Sequence, residues 1–126
     1  MKSGIVLVAL LMLIGLCGAC IVAPEPDGNQ PPLITSLEAK YMTLYPRGGT
    51  EIKCTATDPE GDRLNYKWSC TGGTFDGAGP IITWEAPRSY GEYHIMVIVE
   101  DDEGKSAKDT LTFNVIGRPQ ESCCGN

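Results

Sequence analysis

From Leu33 to Val115 no stretch between turn-forming residues is long enough for an ordinary helix carrying an apolar stripe. Turn signals recur at Pro46-Arg47-Gly48-Gly49, Asp58-Pro59-Glu60-Gly61-Asp62, Thr71-Gly72-Gly73, Asp76-Gly77-Ala78-Gly79-Pro80, Pro87, Gly91 and Asp101-Asp102-Glu103-Gly104. The segments between them alternate with a period of two, as successive side chains on a strand leave opposite faces. Ile52, Cys54 and Ala56 share one phase against Glu51, Lys53 and Thr55; Leu64, Tyr66, Trp68 and Cys70 share one against Asn65, Lys67 and Ser69. Ile82 with Trp84, then Tyr93, Ile95, Val97 and Val99, then Leu111, Phe113 and Val115 repeat the pattern. With an opening strand near Ile34 to Ala39, about six or seven strands fall within the 84 residues from 33 to 116. That density predicts an all-β Greek-key sandwich. The segment 92–100 is apolar on its second phase as well, at Met96 and Ile98, which predicts a central strand with a partly covered outer face.

A different kind of sequence precedes this region. Met1-Lys2-Ser3 leads into the unbroken apolar run Gly4 to Leu16, followed by Gly18 and Ala19 before Cys20, the order of a secretory signal. Cys17-Gly18-Ala19-Cys20 resembles the end of a bacterial lipoprotein signal, which implies that residues 1–19 are removed and that Cys20 carries lipid. Two other readings stay open. Gly4 to Ala23 is 20 residues without charge, and at about 1.5 Å each an uncleaved apolar helix of that length just crosses a core of about 30 Å. Ordinary cleavage with release is the other. All three export the remainder to an extracellular or periplasmic face, and two tether it to the membrane, by lipid or by an N-terminal helix. Ala23 to Pro32 holds four prolines, one glycine and two acids in ten residues and reads as an extended spacer. The expected organisation is signal 1–19, anchor cysteine and spacer 20–32, sandwich 33–116 and a polar, cysteine-containing tail 117–126.

Charge and composition exclude several functions. A formal net charge of -6 and a pI near 4.6 are wrong for a nucleic-acid partner, which is held by releasing counterions to cationic side chains. The single histidine, His94, falls on the phase opposite Tyr93 and Ile95, and no serine or cysteine motif points to it as a base. Gly72-Gly73 and Gly77-Ala78-Gly79 lie between strands, without the following helix that a phosphate loop needs. A non-catalytic protein is expected, with no required cofactor.

The run Cys54-x-Ala56-x-Asp58-Pro59-Glu60-Gly61-Asp62-x-Leu64-x-Tyr66-x-Trp68, then Gly91-x-Tyr93-x-Ile95-x-Val97-x-Val99-x-Asp101-Asp102-x-Gly104, resembles the PKD and related immunoglobulin-like domains of prokaryotic surface proteins. The resemblance covers about residues 29–116 and implies an immunoglobulin-like β-sandwich. Where PKD domains continue the Tyr-x-Trp strand into an Asp-Phe-Gly-Asp-Gly turn, this chain has Ser69-Cys70-Thr71-Gly72-Gly73. Trp68 and Tyr93 are expected in the core, the tyrosine with its hydroxyl reaching backbone at the sandwich corner.

Export permits disulfides. Cys54 and Cys70 both lie on inward phases and would close a loop of 17 residues, a crosslink of roughly 3 kcal/mol on the chain-entropy argument. Cys123 and Cys124 form a vicinal pair in the polar tail, open to a strained bridge, a free dithiol or a link to another chain. Asp58, Glu60 and Asp62 alternate in one turn, and Asp101, Asp102 and Glu103 occupy another that a sandwich can bring to the same end. Hard oxygen ligands from two loops suit Ca²⁺, and the family resemblance implies a further ligand from the leading segment, here Asn29. The competing reading is that these are simply favoured turn formers. The candidate contact surfaces are the two acidic loops (58–63 and 101–105) and the glycine-rich stretch Thr71 to Pro80. The function expected is a membrane-tethered surface module for protein or carbohydrate interaction, adhesion or spacing, with an unidentified protein or polysaccharide partner. Two alternatives are a calcium-dependent carbohydrate-binding module, using exposed aromatics among Tyr41, Tyr45, Phe75 and Tyr90, and an accessory subunit disulfide-linked through Cys123 or Cys124.

Overall fold

Turn residues and alternation together set where each strand begins and ends. The computed structural model describes residues 28–120 and contains eight strands: β1 (Leu33–Ala39), β2 (Thr43–Leu44), β3 (Gly49–Thr57), β4 (Asn65–Cys70), β5 (Thr74–Asp76), β6 (Ile81–Glu85), β7 (Gly91–Glu100) and β8 (Ser106–Val115). The N-terminal signal or anchor helix, Cys20, and the pair Cys123 and Cys124 lie outside the described residues. Strands β2 and β5 were not expected: two and three residues are too short to show a period.

The strands form two four-stranded sheets, β1-β3-β6-β5 and β2-β8-β7-β4. All pairings are antiparallel except β2 with β8, where Thr43 lies opposite Asn114. This is the ABED and CFG arrangement of immunoglobulin sandwiches, with β2 crossing from the first sheet to border the last strand of the second. The central position of β7 explains its second apolar phase. Its outward Met96 is flanked by Ser69 and Thr110, and Ile98 by Lys67 and Lys108, so the two side chains are half-buried among polar neighbours.

Trp84 fills the middle of the sandwich. It is fully buried, with its ring centroid 5.0 Å from that of Phe113 and 6.3 Å from that of Tyr93, and Ile52, Ile82 and Ile95 complete the same cluster. Trp68 and Tyr93 are half-buried and pack against this core from its margin. Each indole N–H then fixes the glycine-rich connection: Trp84 Nε1 donates to Gly72 O at 3.0 Å and Trp68 Nε1 to Gly79 O at 2.9 Å. The stretch Thr71 to Pro80, expected as a contact surface, is thus strapped along the core edge by the two tryptophans.

The expected Cys54–Cys70 disulfide is not formed; both thiols are free. The shared inward phase puts each on the core side of its own sheet but says nothing of level along the strands. Cys54, in β3, lies against Val97 and Val99, and the β4 side chains packed against the same cluster are Tyr66 and Trp68. Cys70 ends β4 opposite Ile95, against the Trp84 cluster, with its Sγ 3.7 Å from Gly73 O. Burial, then the charge of Asp109, raises the Cys54 thiol above its ordinary pKa, which keeps it protonated and unreactive.

Gly73 sits where only glycine fits. Its φ is +78°, and a Cβ would lie 2.3 Å from Glu85 O and 2.8 Å from Trp84 Nε1. Gly104 has a similar φ of +88° but open space around it. Left-handed strain alone costs about 1–2 kcal/mol, so Gly104→Ala should lose about that much stability in urea unfolding, and Gly73→Ala more, about 3 kcal/mol. Equal losses at the two positions would mean that the close approach to Trp84 contributes nothing.

Candidate functional site

Strands β1, β3, β4, β7 and β8 all have an end at one pole of the sandwich, and two acidic loops meet there. Their backbones follow one pattern. Asp58 Oδ1 accepts from the amides of Glu60 and Asp62, both at 3.0 Å, and Asp101 Oδ1 accepts from those of Glu103 and Lys105, both at 2.9 Å. In each loop the glycine three residues on donates back to the aspartate carbonyl, Gly61 at 3.1 Å and Gly104 at 3.3 Å, and takes a positive φ. Asp-x-Glu-Gly is therefore a loop frame used twice, the aspartate side chain standing in for a turn of backbone. The fifth position differs: Asp62 in one loop, Lys105 in the other.

The leading segment is clamped between these loops. Asn29 is buried at 3% exposure, its Nδ2 donating to Asp101 Oδ2 at 2.9 Å, while Lys105 Nζ donates to Asn29 O. One residue on, Gln30 N donates to Glu60 Oε1 at 3.2 Å. Lys105 was expected only as the end of the 101–105 contact surface, not beside the metal ligands; the repeated Asp-x-Glu-Gly spacing was the signal that the two loops correspond.

Of the residues expected to hold a metal, Asp58, Asp62 and Asp101 converge, with carboxylate oxygens within 4.8 Å of one another. Asn29 adjoins them through Asp101, whereas Glu60 is exposed and turned to Gln30. The electrostatics of the three differ. Burial raises the pKa of Asp101, but hydrogen bonds from Asn29 and from the amides of Lys105, Glu103 and Gly104 outweigh it and hold the group below the ordinary carboxylate value. Asp62 moves the other way, raised by desolvation and then by the negative charges of Asp58, Asp102, Asp101 and Glu60. The second oxygen of Asp58 is buried and accepts no hydrogen bond among the described residues. A buried oxygen without a donor, beside a carboxylate under like-charge repulsion, suits a hard divalent cation. Asp58, Asp62 and Asp101 would hold it, and the ion would supply charge neutralisation.

The remaining candidates are placed elsewhere. His94 stands on the outer face of its sheet, with Nδ1 3.0 Å from Thr112 Oγ1 and Nε2 3.5 Å from Glu92. The hydroxyl of Tyr93 donates to Ser89 O at 3.0 Å, tying β7 to the loop before it. Phe75 lies on the edge strand β5, whereas Tyr41, Tyr45 and Tyr90 are in connections at the pole opposite the acidic loops.

The chain matches no protein-family profile and no curated protein sequence. Solved structures do match. A carbohydrate-binding module of the β-sandwich superfamily superposes with a TM-score of 0.60 at 22% identity, over 75% of this chain and 36% of that one. A nucleoside hydrolase-related protein of Saccharophagus degradans, associated with carbohydrate metabolism, gives 0.59 at 20% identity, over 70% of this chain and 26% of that one. The PKD1 domain of Vibrio anguillarum Epp gives 0.55 at 23% identity, over 71% of this chain and 99% of the domain. The chain thus spans only about a quarter to a third of the first two. At these identities the likeness concerns the fold, and the fold is the PKD-like, immunoglobulin-like β-sandwich.

The opposed shifts at the acidic pole predict opposed effects on stability. Because the folded state raises the pKa of Asp62, ionising it costs stability as pH rises through the folded value. With metal chelated, Asp62→Asn should therefore raise Tm at pH 7, and the gain should fade below about pH 4, where wild-type Asp62 is protonated too. The depressed pKa of Asp101 marks stability present above the ordinary carboxylate value and lost as pH falls through the folded one, so Asp101→Asn should lower Tm at pH 7. Thermal melts between pH 3 and 8 measure both, and an Asp62→Asn protein melting below wild type at pH 7 in chelator would contradict the repulsion described.

Proposed function

We propose that the chain is a non-catalytic, surface-displayed β-sandwich module, tethered to the membrane, whose acidic pole takes up Ca²⁺ and so fixes the domain rigidly to its leading segment. One observation carries this reading. The pole that gathers Asp58, Asp62 and Asp101 is also the pole where Asn29 and Gln30 are hydrogen-bonded to the two loops. A cation there acts on the junction between spacer and domain, where stiffness decides how the module is held off the surface. Sharing a fold with a PKD domain and with a carbohydrate-binding module supports an interaction or spacing role over catalysis. The exposed aromatics do not favour a coplanar sugar platform on a sheet face, since Phe75 and the three tyrosines lie on different parts of the molecule.

Calorimetric titration of the full chain with Ca²⁺ tests the metal. Binding of the strength common to extracellular modules, with Kd about 10⁻⁴–10⁻³ M, is expected, and an ion at a hundred times its Kd should stabilise the fold by about 2.7 kcal/mol. Asp62→Asn should abolish both the heat and the rise in Tm. A wild-type chain giving neither would leave the loops as turn formers alone. The tether is tested separately: radioactive palmitate should label the wild type in cells and leave Cys20→Ala unlabelled, and a labelled Cys20→Ala chain would remove the lipid anchor from this reading.

A further inference from the structure

The pole opposite the acidic loops is made of the β2–β3 turn (45–48), the β6–β7 loop (86–90) and the segment after β8 (116–118). Together these segments carry Arg47, Arg88 and Arg118 and contain no aspartate or glutamate. Backbone hydrogen bonds join them into one platform. Arg47 N donates to Ala86 O at 3.2 Å, Ala86 N to Gly48 O at 2.9 Å and Ile116 N to Leu44 O at 2.9 Å. The turn Tyr45-Pro46-Arg47-Gly48 is closed by Gly48 N on Tyr45 O at 2.9 Å and holds Arg47 at φ 62°, a region that glycine or asparagine usually fills at that turn position. An arginine kept there at a cost of about 1–2 kcal/mol is a side chain displayed at the tip of the turn.

Aromatic rings stand among the arginines. Tyr90 is 69% exposed and Tyr45 40%, with the Arg118 guanidinium 5.4 Å from the centroid of the Tyr45 ring. The Tyr90 ring lies over Gly117, where a Cβ would already touch it at 3.5 Å. At the same pole Arg47 and Arg88, with Gly73, Thr74 and Pro87 and with Glu85 as the one acid in the lining, border a recess of about 260 Å³.

We infer that this pole binds an anionic polysaccharide, one whose sugars carry carboxylate or sulfate groups. Guanidinium pairs bidentately with both anions, and the exposed tyrosine faces offer apolar surface to the C–H faces of sugar rings. The recess is open and of a size for single sugar units rather than for a folded peptide. The inference extends the reading of a surface module and does not rest on calcium.

Native affinity electrophoresis of the full chain in chelator tests it, with polygalacturonate, heparin or neutral dextran in the gel. Retardation is expected in one or both polyanions and not in dextran; comparing polygalacturonate with heparin separates carboxylate from sulfate. Arg88→Ala combined with Arg118→Ala should weaken retention about tenfold, and Tyr90→Ala should weaken it without any change of charge. Lys108→Ala, which removes an exposed positive charge from a sheet face, should leave it unchanged. No retardation in either polyanion, equal retardation in dextran, or equal losses from Lys108→Ala and the arginine changes would overturn the proposal. Sedimentation showing self-association that Arg118→Ala abolishes would overturn it as well, and would assign the pole to a second copy of the chain.

Discussion

The sandwich depends on the indole of Trp84. Its ring closes the space between the sheets against Phe113 and Tyr93, and its N–H anchors the connection from β4 to β5 at Gly72. A buried indole that lacked this acceptor would leave a donor unsatisfied at about 1–3 kcal/mol. The glycines at 72 and 73 follow from it, since a side chain on Gly73 would strike the ring nitrogen and one on Gly72 would meet Tyr93 at 2.5 Å. The departure from the Asp-Phe-Gly-Asp-Gly turn of PKD domains falls on this same stretch. Here the chain passes close over the core edge.

The acidic pole is organised before any cation arrives. In both loops one aspartate oxygen is spent on two amides of its own turn, which fixes the carboxylate and leaves the second oxygen for another partner. At Asp101 that partner is Asn29; at Asp58 it is missing among the described residues. The loops therefore need no metal to hold their shape. What an ion changes is the repulsion on Asp62, which occupies the position that Lys105 fills in the companion loop. At the fifth position one loop carries a lysine and the other an aspartate, and the proposed Ca²⁺ site rests on that asymmetry.

Alternation disclosed the long strands and the inward phase of each, because a side chain one residue out of register would face water across the whole sheet. It could not rank the two tryptophans. Trp68 and Trp84 share the inward phase of their strands, yet β4 is an edge strand and β6 lies between β3 and β5, so only Trp84 is enclosed from both sides. The same limit undid the cysteine pairing: phase identifies a face, whereas bridging also requires a common level, and Cys54 and Cys70 are placed at different heights. The register shift between Ile34 and Ser36 in β1 was likewise invisible, since a bulge breaks the period that reveals a strand. At the acidic pole the carboxylates were legible as a pattern. The clamp by Asn29, Gln30 and Lys105 joins residues more than 70 apart, or about 30 in the case of Gln30, and only the strand order brings them together.

Strand order also gives the module a direction. The chain enters at the acidic pole, at Asn29, and β8 delivers it to the arginine and tyrosine pole, at Arg118. With the proposed tether at Cys20, the acidic pole faces the membrane and the arginines face away from it. Anionic headgroups would repel that acidic pole at short range, but screening confines the effect to about 8 Å at physiological salt. Residues 20–28, ahead of the clamped Asn29, would reach about 28 Å if extended at about 3.1 Å per residue, clear of that range. On that proposal the spacer would remove the domain from the field of the surface and leave the opposite pole to meet polyanions from outside. An acidic chain of net charge -6 approaches a polyanion favourably only in one orientation, with its arginines foremost. Gathering Arg47, Arg88 and Arg118 at the end away from the Asp58 and Asp101 loops is what would let an acidic protein hold an acidic ligand.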